Sequence, residues 1–128
     1  MNIRASNRVI AILITILALL FGALVWEAWG HFRLQLEATF AEGQTRTFDE
    51  ARAQALRSDA PGAASFLEYI TAYYPSGSKQ RIGSHMDSVV ERHRNLVIHD
   101  IIQYLRQKTG EDLGDNPEAW IQKYGKRQ

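Results

Sequence analysis

An uninterrupted apolar run near the start of the chain constrains its fold more than any other feature. Residues 9–26 form eighteen consecutive positions without a charged side chain. A helix rises about 1.5 Å per residue, so this run would be ~27 Å long, close to the thickness of a bilayer hydrocarbon core. Trp26 and Trp29 lie at its far end, where aromatic side chains favour the lipid–water interface. The run therefore predicts a transmembrane helix over residues 9–29.

A cleaved signal peptide is the alternative interpretation of the same run. The apolar part of a signal peptide usually has ~7–15 residues and ends in small residues at the cleavage site. This run is longer, and its end carries the bulky or charged residues Trp26, Glu27 and Trp29. We therefore expect a retained signal anchor, with a secreted soluble helical protein as the alternative.

The charges beside the run predict its orientation. Arg4 and Arg8 precede it, whereas Arg33 follows it closely and lies between Glu27 and Glu37 in the sequence. Because basic residues favour the cytoplasmic side, we expect residues 1–8 in the cytoplasm and the C-terminal domain outside it. The expected location is the cell inner (plasma) membrane, crossed once.

The remainder of the chain has the composition of one small, nearly neutral domain. The whole chain has 15 basic and 14 acidic residues, and removing Arg4, Arg8 and Glu27 leaves 13 of each sign from Gly30 onward. Binding of nucleic acid requires a basic surface, so we expect no such partner. The chain has no cysteine, which excludes disulfides, thiolate metal ligands and a cysteine nucleophile.

The span is predicted to continue beyond the membrane as a juxtamembrane helix. Apolar residues recur there at four-residue spacing, at Phe32, Leu36 and Phe40. Gly43 is expected to end this helix. Thr47 and Glu50 then match a capping box, which predicts a short helix to about residue 58. The inner row of that helix would consist of Phe48, Ala51 and Ala55.

Capping residues and apolar periodicity predict two further helices before residue 110. The first starts at Asp59 and Pro61 and is broken from Pro75 onward. Its apolar face consists of Ala63, Phe66, Leu67, Ile70, Tyr73 and Tyr74. The second starts at Ser84 and ends at Gly110. Its core stripe consists of Met86, Val89, Val90, Val97, Ile101, Tyr104 and Leu105.

A last short helix is predicted near the C-terminus, and the fold class follows from the whole series. Asp115 and Glu118 would cap this helix, Pro117 lies in its first turn and Gly125 ends it. Its apolar side consists of Ala119, Trp120, Ile121 and Tyr124. No strand pattern occurs, so we expect an all-α protein with one N-terminal transmembrane helix and a small helical domain. The expected segments are 1–8 (cytoplasmic), 9–29 (span), 30–58 (juxtamembrane) and 59–125 (domain).

The histidines do not form a metal-binding pattern. His85, His93 and His99 share one predicted helix, but they are eight and six residues apart, whereas helical metal ligands lie three or four apart. We expect His93 to be a partly buried, hydrogen-bonded residue of the core. We expect His85 and His99 at the surface, and His31 at the membrane boundary.

Acidic residues and one loop offer weak alternatives for a site. Asp87 and Glu91 are four residues apart, which allows a shared metal or a proton-sharing pair. Arg94, three residues after Glu91, instead favours an ordinary solvated ion pair with Glu91. The acidic residues Glu111, Asp112 and Asp115 resemble a calcium loop only in composition. We expect these residues to have turn and capping roles. The loop 76–81 has small residues and two cations but lacks the order of a phosphate-binding loop. We therefore expect no catalytic residue, metal, cofactor or small-molecule substrate.

A row of small residues is the one candidate interaction site. Ala11, Thr15, Ala18 and Gly22 fall within an arc of about 60° on a helix with ~100° per residue. Small faces permit close approach of helices in lipid. The row predicts a contact with another transmembrane helix, from a protein partner or a second copy of the chain.

The C-terminal stretch 109–125 reads TGEDLGDNPEAWIQKYG. It resembles the TGxDLGxxPExWIxxYG ending of some bacterial helical proteins, among them uncharacterised membrane-anchored proteins and HEAT-repeat-like families. The resemblance covers 17 of 128 residues. It implies that Leu113, Trp120 and Tyr124 dock a short helix on the preceding one, and it brings no catalytic residue. A single helical pair departs from a repeat array, so a scaffold function is not carried over.

These observations together predict a membrane-anchored tether or protein-interaction module that is not an enzyme. The alternative is a helical domain that binds metal or catalyses a reaction through the histidines and carboxylates of the long helix.

Overall fold

The structure, a computed structural model, describes residues 3–73 and 81–125, with side chains from residue 7 onward. Within these ranges the chain forms the helices α1 (Ile3–Ala55), α2 (Ala60–Tyr73), α3 (His85–Thr109) and α4 (Pro117–Tyr124), and no β-strand occurs in them. The predicted all-α class is confirmed. Tyr74 and the loop residues 75–80 lie outside the described residues.

The chain divides into two compact units, Met1–Leu36 and Glu37–Gln128. In the first unit α1 is long and apolar enough to cross a membrane, and a signal sequence would have the same properties. Every side chain of residues 7–36 is exposed within this chain. Exposed apolar side chains on every side of a helix are expected where lipid surrounds that helix.

The second unit has one hydrophobic core, to which every helix contributes. Its buried members are Ala41, Phe48, Ala51, Ala55, Ala63, Leu67, Ile70, Val90, Val97, Ile101, Ile102, Leu105 and Trp120. The core therefore includes residues from the segment 30–58 as well as from 59–125. Two polar contacts also join α1 to α3, between Asp49 and His93 and between Arg52 and Asp100.

The predicted end of a helix at Gly43 is wrong, because α1 continues through it to Ala55. The Thr47 hydroxyl, which we expected to cap a new helix, donates a hydrogen bond to the Gly43 carbonyl oxygen at 2.9 Å. Glycine inside a helix costs only about 1 kcal/mol relative to alanine. Burial of Phe48 and Ala55, both 0% exposed, offsets this cost and keeps the segment helical. The expected inner row is confirmed.

The predicted caps of α2 and α3 are confirmed. The Asp59 carboxylate accepts a hydrogen bond from the Gly62 N–H at 2.9 Å. The Ser84 hydroxyl accepts one from the Asp87 N–H at 3.1 Å, and α3 ends at Gly110, whose φ of 73° is left-handed. A residue with a Cβ is strained at that φ, which explains the glycine.

The predicted core stripe of α3 is correct at four buried positions, namely Val90, Val97, Ile101 and Leu105, while Met86 and Tyr104 are partly buried. Val89 is an error, since it is 39% exposed. Ile102, which the predicted stripe omits, is 1% exposed. The buried face is therefore turned away from Val89 and toward Ile102.

The cap of α4 is Asn116 rather than the predicted Asp115. The Asn116 side chain accepts a hydrogen bond from the Glu118 N–H at 3.0 Å. Asp115 instead accepts one from the Arg106 guanidinium at 2.9 Å. Trp120 is fully buried, and α4 packs mainly against α2 rather than against the preceding α3.

Candidate interaction surfaces

The row of small residues lies on the exposed part of α1 in the first unit. The Thr15 hydroxyl donates a hydrogen bond to the Ala11 carbonyl oxygen at 2.9 Å, so its polar group is satisfied inside the helix. Beyond its chain neighbours and the helix backbone around it, a Cβ added at Gly22 would meet no atom of the described residues within 4 Å. The face formed by Ala11, Thr15, Ala18 and Gly22 thus presents no unsatisfied donor to lipid or to another helix. Its contact with a partner helix stays a prediction.

Aromatic side chains surround the end of the apolar run. Trp26 is 82% exposed and Trp29 is 61% exposed. The Trp29 and Phe32 rings lie 6.0 Å apart, centroid to centroid. Exposed indoles at this position are typical of the aromatic belt at a membrane interface.

The three histidines of α3 have the burial that we expected of them. His93 is partly buried, and its Nε2 lies 3.0 Å from Asp49 Oδ1. His85, His99 and His31 are exposed. Among the described residues no three histidine, cysteine or carboxylate side chains converge closely enough to hold a metal ion.

The carboxylates of α3 have structural partners. Glu91 Oε2 lies 3.1 Å from Arg94 Nη2, so the expected ion pair forms, but both side chains are partly buried rather than solvated. Asp87 is 5% exposed and accepts a hydrogen bond from the Gly83 N–H at 3.0 Å. Asp87 therefore closes the N-terminus of α3 rather than sharing a ligand with Glu91.

The acidic cluster before α4 is held by cations and backbone groups. Asp112 accepts hydrogen bonds from the Gly114 N–H at 2.9 Å and from Arg106 at 2.8 Å. These two donors hold the pKa of the Asp112 carboxyl below its ordinary value, the backbone donor having the larger effect. The bonds to Asp112 and Asp115 raise the pKa of Arg106. Such a cluster fixes a turn, as predicted for Asp112.

A further ion pair joins this turn to α4. Glu111 Oε2 lies 2.6 Å from Lys123 Nζ and accepts a hydrogen bond from the Tyr124 hydroxyl at 2.6 Å. Lys123 first, and then Tyr124, hold the pKa of the Glu111 carboxyl below its ordinary value. The same contacts raise the pKa of Lys123 and of Tyr124. The charged side chains of the C-terminal segment thus have structural roles, because they hold the turn against α4.

Open grooves occur among the described residues of the second unit, and two of them are relevant here. One, of about 330 Å³, is lined by residues of α1 and α2 that include Glu50, Phe66 and Tyr69. The other, of about 410 Å³, is lined by Arg94, His99, Asp115 and neighbouring residues. Neither lining includes a nucleophile hydrogen-bonded to a base, the arrangement that covalent catalysis requires.

One exposed face of α3 was not identified from the sequence. Leu96 is 58% exposed and Val89 is 39% exposed, and they lie seven residues apart on the same side of the helix. His85, Arg92 and His99 are exposed beside them. This face could have been predicted from the seven-residue spacing of Val89 and Leu96 and from the same spacing of His85, Arg92 and His99.

Comparison of the chain with known protein families, with curated proteins and with solved structures found no match. The resemblance of residues 109–125 to other helical proteins stays a prediction.

Proposed function

We propose that this protein is a single-pass membrane anchor whose helical domain tethers or binds another protein outside the cytoplasm. The observation that carries the proposal is the apolar stretch of α1, which is helical, free of charged side chains and exposed at every position among the described residues. A helix of this length and composition is stable in a bilayer because all its backbone groups are paired internally.

The mechanism of such a protein is tethering. α1 contains both the apolar stretch and buried residues of the folded unit, including Phe48 and Ala55. The one helix α1 thus contributes residues both to the apolar stretch and to the core of the second unit. In this proposal the row Ala11, Thr15, Ala18 and Gly22 packs against another transmembrane helix.

The helix contact is tested by a matched pair of substitutions in a membrane two-hybrid assay. Gly22→Ile places a branched side chain where the backbones would meet, while the span stays hydrophobic. Leu20→Ile lies about 160° around the helix at ~100° per residue and is the control. Association should fall for Gly22→Ile and persist for Leu20→Ile. Equal association of both variants, or none for the original chain, would contradict the proposed contact.

The proposed orientation has its own test. Because Arg4 and Arg8 precede the span, a reporter fused after Gln128 should give an extracytoplasmic signal. Replacing both arginines with glutamate should weaken or invert that signal. A cytoplasmic signal from the unaltered chain would contradict the orientation.

A further inference from the structure

A stripe of six residues runs along the solvent-facing side of α3. The stripe, called here the outer stripe, consists of His85, Val89, Arg92, Leu96, His99 and Gln103. Successive members are alternately four and three residues apart, so at ~100° per residue they fall within an arc of about 80°. All are exposed except Gln103, which is partly buried. The stripe therefore has the spacing of a face that packs against another helix.

The outer stripe combines apolar and basic groups and has no carboxylate. Val89 and Leu96 would supply apolar contact. Arg92 lies between them in the sequence, is exposed, and makes no hydrogen bond or ion pair with a described residue. Arg52, Arg94 and Arg106, by contrast, each pair with a carboxylate of the same unit. The guanidinium of Arg92 is thus available to a carboxylate from outside.

Charge complementarity decides which occupant fits. A second copy of the stripe would bring Arg92 close to a surface that has basic groups and no carboxylate, which disfavours self-association through this face. A helix with apolar residues seven apart and carboxylates beside them would match both the apolar pair and Arg92. We propose that the outer stripe of α3 is the docking face for an acidic amphipathic helix of another protein. This inference rests on the proposed function and specifies its partner.

The test uses the full chain in non-ionic detergent micelles and two synthetic helical peptides. Both peptides carry leucines at alternating three- and four-residue spacing, flanked by glutamate in one and by lysine in the other. Fluorescence anisotropy should show the glutamate peptide binding at least about tenfold more tightly, a difference that opposite-sign charges supply. Arg92→Glu should remove or reverse this preference. Leu96→Ser should weaken binding of the glutamate peptide about tenfold.

A matched control separates local from general charge effects. Arg57→Glu makes the same change in net charge at an exposed position outside the stripe and should leave the preference intact. Circular dichroism checks that each variant is folded. Equal affinity for both peptides, no binding at about 1 mM, or an unchanged preference in Arg92→Glu would overturn the proposal.

Other occupants give different results in the same assay. Binding to vesicles of phosphatidylglycerol that is lost in Arg92→Glu, without binding of the glutamate peptide, would assign the stripe to a membrane and overturn the proposal. So would binding of labelled chain to unlabelled chain that Leu96→Ser abolishes. A failed contact through Gly22 affects none of these measurements, so the two proposals fail separately.

Discussion

Phe48→Ala measures how strongly the end of α1 is integrated into the core of the second unit. Phe48 is 0% exposed, and its ring lies edge-on to Tyr73 at 6.3 Å and 6.5 Å from the His93 ring. Replacing a buried phenylalanine with alanine removes its transfer free energy and leaves a cavity, at a cost of about 3–5 kcal/mol. This is a large part of the ~5–15 kcal/mol by which typical domains are stable.

Phe40→Ala is the matched control on the same helix. Phe40 is 45% exposed, so about half of the ~1.5–3 kcal/mol for burying a phenylalanine is lost, with no closed cavity. We expect a loss of about 1 kcal/mol. The assay is urea unfolding of the full chain in non-ionic detergent, followed by circular dichroism. If Phe48→Ala costs no more than Phe40→Ala, the end of α1 does not belong to the core.

Two further substitutions test the C-terminal segment. Trp120→Phe should destabilise the second unit by about 1–3 kcal/mol, because the variant loses part of a fully buried ring and the hydrogen bond that Trp120 Nε1 donates to the Gly114 carbonyl oxygen at 2.9 Å. A loss below about 0.5 kcal/mol in urea unfolding would contradict this. Because the pKa of Glu111 is lower in the folded chain than in the unfolded chain, its stabilisation is present above the ordinary carboxyl pKa and is lost as the pH falls through the folded value. Glu111→Gln should therefore unfold at lower urea concentration than the original chain at pH 7, and the difference should shrink at about pH 3; a difference that is constant with pH would contradict the assignment.

The sequence predicts those parts of the fold that local chemistry determines. The hydroxyl of Ser84 and the glycine at Gly110 bound α3 as expected, because capping depends on groups within a few residues. Local sequence alone predicts a helix end at Gly43, but burial of Phe48 beside Tyr73 and His93 of α2 and α3 outweighs that local preference. The cap of α4 is one residue later than predicted, because Asp115 accepts a hydrogen bond from Arg106 instead.

Contacts between distant segments explain the other differences. The periodicity of α3 fits several neighbouring faces, and only packing in the core of the second unit selects Ile102, rather than Val89, as a buried residue. His93 was expected to be partly buried and hydrogen-bonded, which is confirmed, but its partner Asp49 is 44 residues away and no local pattern indicates it. Of the candidate interaction surfaces, the row of small residues on the span can be predicted from residue spacing alone. The outer stripe requires the structure as well, because it depends on the exposure of Val89.

Alkaline extraction of native membranes, combined with the intact mass of the extracted chain, tests the central claim most directly. A helix that spans the bilayer through residues 9–26 resists extraction, whereas a peripheral or secreted protein does not. The account predicts that the chain stays in the membrane pellet and that its mass includes the N-terminal span. A chain released into the supernatant, or a mass that lacks the apolar run, would contradict it.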